Sequence, residues 1–162
     1  MRMVMLVVAT LFFALAERDS EIQYTTSALG STQVDDVLRP YVDQFMRDCT
    51  ARRTDCEEQL RWVKEIKAID MHRMQVPGGN MVIGLCYINP IYHRVHINKK
   101  ILHYGSSYVR AVVYHELGHC LYNLDHSPNQ GDLMSEVIPD IFTLSEEWPR
   151  LMAGLFAMIE ED

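Results

Sequence analysis

The chain has 162 residues, a length that suits one domain with a substantial hydrophobic core. Hydrophobic residues make up 48% of it and charged residues 23%, proportions typical of a globular protein. The formal net charge is -7, and no basic stripe balances it, so nucleic acid is excluded as the main partner.

The first residues differ in character from the rest of the chain. Arg2 precedes an apolar run from Met3 to Leu15, which ends in an A-x-A pattern at Ala16 and is followed by polar residues. This order predicts a secretory signal peptide over residues 1–16, with cleavage after Ala16. A retained membrane anchor is the alternative, but the run is shorter than the roughly 20 apolar residues that a membrane span needs. We therefore expect a secreted or periplasmic protein with no stable membrane anchor.

The four cysteines predict disulfides in an exported protein. They allow three pairings. Cys49 and Cys56 are near neighbours in a polar stretch and could close a small loop, whereas a Cys86–Cys120 bridge would join a predicted strand to a predicted helix. Four reduced thiols are the alternative. A zinc site made only of cysteines is not expected, because the sequence has no C-x-x-C pair.

The chain after the signal peptide divides into two parts. Residues 17–32 are polar and predict a flexible lead-in, and residues 33–162 predict a single folded domain. Helical spacing of apolar residues predicts a first helix from Val34 to about Arg52, with two aspartates in its first turn. Pro40 would lie in that turn or kink the helix.

Strands are predicted in the middle of the chain, around a turn at residues 77–80. Their expected ranges are Trp62–Met71, Met81–Ile88 and His93–Asn98. His93 and His96 are three residues apart on a strand and face opposite ways, so we interpret them as polar strand residues rather than as a metal-binding pair.

Two further helices are predicted in the C-terminal half. The first runs from about Tyr108 to Tyr122, with Ser106 or Ser107 as its N-cap. Ser145 is the expected N-cap of the last helix. Gly118, inside the first of these helices, costs about 1 kcal/mol relative to Ala, which favours a role in close packing.

The sequence His115-Glu116-Leu117-Gly118-His119 carries the most chemical information. On a helix, residues four apart share a face, so His115 and His119 can offer two imidazoles to one metal ion. Glu116 can act as general base on a water molecule at the metal. This is the H-E-x-x-H arrangement of zinc peptidases. A catalytic zinc ion needs a third protein ligand and one open position, and the candidates for the third ligand are His126 and Asp125.

The stretch from His115 to Ser127, followed by Asp132-Leu133-Met134, resembles the metzincin metallopeptidases, and especially their matrixin-like branch. The pattern of that family is H-E-x-x-H-x-x-G-x-x-H, followed by a methionine in a tight turn under the metal. The resemblance implies an α+β zincin domain. Its twisted, mostly parallel sheet would have an antiparallel edge strand and pack on an N-terminal helix and the active-site helix, with a C-terminal helix in addition.

The resemblance also implies a secreted zinc-dependent endopeptidase that acts on protein or peptide substrates through one catalytic Zn²⁺ and a water molecule activated by Glu116. The three ligands would be His115, His119 and His126, and Met134 would be the methionine of the turn. An extended substrate would lie beside the edge strand of the sheet, for which Met81–Ile88 is the candidate.

This sequence departs from the family pattern by one extra residue before the third histidine. Strict counting puts Asp125 at the third-ligand position. The glycine of the family pattern, however, ends the helix in a left-handed conformation, and Asn is the other residue that adopts this conformation readily. Asn123-x-x-His126 therefore reproduces G-x-x-H, and we favour His126 over Asp125.

Two other functions are consistent with the same residues. One is a catalytically inactive zinc-binding module that recognises a protein partner, although such a site would need no general base and would usually have a fourth protein ligand. The other is a zinc hydrolase of cell-wall peptides, whose chemistry would be the same.

Overall fold

The structure is a computed structural model that describes residues 32–71 and 81–161. The predicted signal peptide, the lead-in up to Ser31 and the predicted turn at 77–80 lie outside the described residues. Within the described ranges, none of the helices has the length and apolar character needed to cross a membrane. The elements in chain order are β1 (Gln33–Val34), α1 (Arg39–Thr50), α2 (Cys56–Leu60), β2 (Val63–Ile69), β3 (Gly84–Ile88), β4 (His93–Asn98), a 3₁₀ helix (Lys99–His103), α3 (Ser106–Tyr122), α4 (Ile141–Glu146) and α5 (Trp148–Glu161).

The four strands form one sheet in the order β1-β2-β4-β3. β1 is parallel to β2 and β2 is parallel to β4, whereas β3 runs antiparallel to β4 at the edge of the sheet. Val95 in the middle of β4 is paired with Ile66 of β2 on one side and with Cys86 of β3 on the other. The predicted α+β class, with a mostly parallel sheet and an antiparallel edge strand, is confirmed.

The predicted start of the first helix, at Val34, is wrong. Val34 is in β1 and pairs with Ile66, and the next residue, Asp35, donates its N–H to the Ile66 carbonyl at 3.0 Å. The Asp35 carboxylate accepts the N–H of Ala68 at 2.9 Å, so Asp35 anchors the chain to β2 instead of beginning a helix. Sheet pairing thus overrides helical spacing here. Helix α1 begins at Arg39 with Pro40 in its first turn, and it ends at Thr50 rather than near Arg52.

The predicted N-caps of the later helices are also wrong. Gly105, with φ of 96°, is the N-cap of α3, and Ser106 is already helical. Ser145 lies inside α4, whose N-cap is Asp140; the Asp140 carboxylate accepts the N–H groups of Phe142 and Thr143. The last helix, α5, begins at Trp148 instead. Both predictions depended on a serine at the start of a helical pattern. In the structure, Gly105 precedes the first of these helices, and Asp140, earlier in the chain than Ser145, is the cap of α4.

Strand ends and one short helix differ from the prediction in smaller ways. β2 covers Val63–Ile69 inside the expected range, and β3 begins at Gly84 rather than at Met81. Helix α2, which was not predicted, begins at Cys56. Its five residues are too few to give a periodic signal.

Both disulfide pairings that the sequence suggested are present. Cys49–Cys56 joins α1 to α2, and Cys86–Cys120 joins the edge strand β3 to α3. The described residues contain no free cysteine. The two disulfides are consistent with an extracellular location.

Helix α3 occupies the centre of the domain. It packs against β3, β4, α1 and α4, and most of its residues are buried. At its middle, the Tyr114 ring makes edge contacts with Phe45 of α1 and Trp148 of α5, each with ring centres 5.0 Å apart. The Tyr114 hydroxyl donates to the Asp48 carboxylate at 2.6 Å. The histidine following Tyr114 is therefore carried on a firmly packed element.

Candidate metal centre

Three histidine rings converge beside the C-terminal half of α3. The Nε2 atoms of His115 and His119 are 3.0 Å apart. The Nε2 atom of His126, from the chain after the helix, lies 3.2 Å from that of His119 and 3.3 Å from that of His115. Three nitrogens around a tetrahedral zinc ion are separated by roughly 3.3 Å, given Zn–N bonds of about 2.0–2.1 Å. The three side chains therefore match one face of a zinc coordination tetrahedron.

Main-chain carbonyls fix the tautomers of two of the rings. His115 donates its Nδ1–H to the Leu133 carbonyl at 2.8 Å, and His119 donates its Nδ1–H to the carbonyl of Leu124. A carbonyl oxygen only accepts, so the proton is on Nδ1, and the Nε2 lone pairs of these two rings face each other. Two facing lone pairs at this distance repel unless a cation lies between them. The donor set therefore fits a metal ion.

Burial reinforces the neutral state of these rings. It lowers the pKa of His115 to about 4, because the charged imidazolium would lose its hydration. The pKa of His119 is lowered for the same reason. Neutral imidazole is the form that binds metal, so both rings are ready to act as ligands at neutral pH.

The helix end directs the third histidine towards the other two. Asn123 has φ of 52° and ψ of 29°, the left-handed conformation predicted for it. The N–H groups of Asn123 and Leu124 donate to carbonyls of the last helical turn, those of His119 and Gly118, at 3.0 and 3.4 Å. The chain then turns away from the helix axis, and three residues after Asn123 the ring of His126 lies beside those of His115 and His119.

Asp125, the rival of His126 for the third position, does not join them. Within residues 32–71 and 81–161, the one group of histidines, cysteines and carboxylates that could hold a metal ion is His115, His119 and His126. The Asp125 side chain is exposed. The choice of His126 from the capping pattern therefore agrees with the geometry.

The centre is open on one side. His115 is buried, His119 is half-buried and His126 is exposed, so the three rings pass from the core to the surface. A catalytic zinc site has three protein ligands and one position left for water or substrate. Solvent reaches this centre from the His126 side.

Met134 lies in a turn that packs against the helix between the two histidines. The Ser135 N–H donates to the Asp132 carbonyl at 3.2 Å and closes the turn, and the Met134 side chain is fully buried. A Cβ atom on Gly118 would lie 2.8 Å from the Met134 sulfur. The Ser127 N–H donates to the Met134 carbonyl at 2.8 Å, which ties the segment after His126 to the turn. The close-packing role predicted for Gly118 is confirmed.

Glu116 is directed at the edge strand. Its side chain is buried, and its carboxylate lies beside the backbone N–H of Cys86. A Cβ atom on Gly84 would lie 2.4 Å from Glu116 Oε1, so only glycine leaves room for this carboxylate. Burial raises the pKa of Glu116 to about 8, and the Cys86 N–H partly opposes that rise. A carboxylate with a pKa near neutrality can both accept and release a proton under physiological conditions.

Several contributors to the site were missed by sequence reasoning. The carbonyls of Leu124 and Leu133 have no side-chain signature and could not be found. Gly84 could have been found, because a glycine inside a strand pattern often marks close approach of another group.

The two histidines of β4 contribute to the structure away from the centre. The His93 ring is 2.6 Å from the Cys120 carbonyl, and His96 is 3.2 Å from a Glu65 carboxylate oxygen. They have separate partners, in agreement with their interpretation as polar strand residues.

Comparisons of the chain with protein-family models, with curated proteins and with solved structures give no match. The likeness to metzincins therefore depends on the residues from His115 to Met134 alone, and the function has to be inferred from the geometry of the centre.

Proposed function

We propose that this protein is a secreted zinc-dependent endopeptidase of the metzincin type. His115, His119 and His126 would hold one Zn²⁺, and Glu116 would be the general base. The observation that carries the proposal is the convergence of three Nε2 atoms within 3.3 Å of one another, two of them with their ring protons held elsewhere by carbonyls. The residue next to the first ligand is, in addition, a buried carboxylate.

The residues suit zinc and the chemistry of zinc suits peptide hydrolysis. Three imidazoles, here on a rigid helix and its exit, are the donor set of many catalytic zinc sites. When bound, zinc acts as a Lewis acid that polarises a carbonyl group and acidifies a water molecule. The exposed side of the centre gives a peptide access to it.

Glu116 would transfer a proton from the attacking water to the departing nitrogen. As a water oxygen adds to the peptide carbonyl carbon, the carboxylate accepts a proton from that water. When the C–N bond breaks, the same carboxyl group gives the proton to the departing nitrogen and returns to its ionised state.

An extended polypeptide is the substrate that the edge strand favours. β3 is paired with β4 on one side and with no other described strand on the second side. Its free edge lies next to Glu116, since the Cys86 N–H already reaches that carboxylate. A substrate strand added there would run past the base and the histidines.

The decisive experiment compares Glu116→Gln with the unaltered protein on a mixture of unfolded proteins, with zinc content measured in parallel. Glu136→Gln is the matched control, because Glu136 is an exposed carboxylate in the loop after Met134. We expect zinc to stay bound in all three proteins and cleavage to be lost only in Glu116→Gln. Full activity of Glu116→Gln would exclude the proposed role of Glu116.

The same assay separates the alternatives. Zinc binding without cleavage of any peptide by the unaltered protein would favour an interaction module. Cleavage of cell-wall peptides but not of unfolded proteins would favour the other hydrolase. Secretion is tested independently by N-terminal sequencing of the exported protein, which should begin at Glu17.

A further inference from the structure

Cys86 contacts two residues of α3 that are one helical turn apart. Its backbone N–H lies beside the Glu116 carboxylate, and its side chain forms the disulfide with Cys120. Glu116 and Cys120 are four residues apart, so they share a face of α3, just as His115 and His119 share the adjacent one. Cys86 therefore contacts both the proposed general base, Glu116, and the turn of helix α3 that contains His119.

β3 needs such an attachment because it is an edge strand. Among the described strands, its five residues pair only with β4, from Gly84 opposite Ile97 to Ile88 opposite His93. Edge strands have few partners and open more easily than central ones. The Cys86–Cys120 bond, with Cα atoms 5.5 Å apart, holds β3 against α3 independently of the sheet.

Gly84 completes the enclosure of Glu116. Glu116 Oε1, Cγ and Cδ would lie 2.4, 2.7 and 2.8 Å from a Cβ atom on Gly84, all far inside normal contact distance. The carboxylate is therefore packed against the main chain of β3 at Gly84, two residues before Cys86. A change in the position of β3 would move or release the carboxylate.

On the basis of the proposed function, we propose that Gly84 and the Cys86–Cys120 disulfide are positioning elements for Glu116. The disulfide fixes β3 on α3, and the strand in turn fixes the general base beside the metal centre. The ligands do not depend on β3, because the carbonyls of Leu124 and Leu133 orient His119 and His115. Loss of the disulfide should therefore impair catalysis while zinc stays bound.

The test uses the full mature protein with two pairs of cysteine replacements. Cys86→Ala with Cys120→Ala removes the positioning bridge, and Cys49→Ala with Cys56→Ala removes the bridge between α1 and α2. We expect one zinc ion per chain in both. The first variant should lose about 100-fold in kcat with little change in KM, because a displacement of about 1 Å costs that much. The second should keep the kcat of the unaltered protein, although it is less stable. Equal kcat in the two variants would overturn the proposal.

Gly84→Ala tests the same idea with both disulfides intact. It should lower kcat while zinc stays bound, whereas Gly154→Ala, at a position with no atom within 4 Å of the added carbon, should not. If the Cys86/Cys120 variant does not fold, this pair decides. Unchanged kcat in Gly84→Ala would contradict the positioning role.

A measurement without substrate separates this inference from the proposed function. Hydrogen exchange of the Cys86 amide, followed by NMR, should be faster in Glu116→Ala than in the unaltered protein, since the buried carboxylate beside it is gone. Equal exchange rates would overturn the inference even if the protein is a peptidase. Faster exchange would support it even if no peptide is cleaved.

Discussion

Gly118 approaches Met134 so closely that one added carbon on Gly118 would lie 2.8 Å from the Met134 sulfur. The same carbon would lie 3.3 Å from a methyl group of Leu155 in α5. The helix that carries His115 and His119 and the turn that follows His126 are thus in close contact, with no room for a side chain at Gly118.

Gly118→Ala should destabilise the protein despite the better helix propensity of alanine. Alanine contributes about 1 kcal/mol in a helix interior, but overpacking of a tight core costs about 1–3 kcal/mol. We expect a net loss of up to about 2 kcal/mol in the free energy of unfolding, measured by denaturant titration. Gly154→Ala, in open space on α5, should instead gain about 0.5–1 kcal/mol. Equal stabilisation by both changes would show that the Met134 contact imposes no constraint.

His126→Ala should lose the zinc ion and Asp125→Ala should retain it. His126 Nε2 lies 3.2 and 3.3 Å from the other two ring nitrogens, whereas Asp125 is exposed and outside the cluster. Metal content after dialysis, measured by atomic absorption, distinguishes the two variants. The opposite result would return the third-ligand role to Asp125.

Asn123→Ala should lower the free energy of unfolding by about 1 kcal/mol, because a left-handed conformation costs a residue with a Cβ atom about 1–2 kcal/mol and Asn bears this cost better than Ala. Asn123→Gly should be close to the unaltered protein, since glycine adopts φ of 52° without strain. Thermal unfolding and zinc titration measure both effects. Should the two replacements behave alike, the helix exit would not depend on backbone conformation at this position.

The stability of the zinc-free protein should be greatest near pH 6.5. Burial raises the pKa of Glu116 from 4.5 to about 8, so the unfolded chain releases a proton that the native protein keeps, and stability falls as the pH rises through this range. Burial lowers the pKa of His115 from 6.5 to about 4, so its contribution is lost as the pH falls below 6.5. The two effects oppose each other between pH 4.5 and 6.5, and His119 adds to that of His115.

Between pH 6.5 and about 8 the Glu116 effect remains alone, with a slope of at most roughly 1.4 kcal/mol per pH unit. Denaturant titrations of the chelator-treated protein at several pH values measure it. Glu116→Gln should abolish the decline above pH 6.5 and keep the loss of stability on acidification. A decline of the same steepness in this variant would assign it to another group.

The sequence predicted the parts of the site whose chemistry resides in side chains at fixed spacing. His115, Glu116 and His119 follow from helical geometry, and Asn123 and His126 follow from the conformational preference of asparagine at a helix end. The four cysteines allow three pairings, and a Cys86–Cys120 bridge is one that would join the predicted strand to the motif helix; the structure contains it.

Other features depend on contacts between distant segments, which spacing does not encode. Val34 continues the helical spacing of the apolar residues of α1, yet it pairs with Ile66 and is part of the sheet. The raised pKa of Glu116 follows from its burial, and Gly84, about thirty residues earlier in the chain, lies against its carboxylate. In both cases a long-range packing contact outweighs a local preference.

The rings of His115 and His119 are oriented by the main chain at Leu133 and Leu124, not by carboxylate side chains. Every amino acid offers the same carbonyl oxygen, so these two positions can change identity during evolution without loss of the ring tautomers, provided that the replacement fills the same volume. An insertion or deletion between Asn123 and Met134 would have a larger effect. It would move His126 and the carbonyls of Leu124 and Leu133 away from the helix. This centre should therefore tolerate drift in sequence far better than insertions or deletions in its loop.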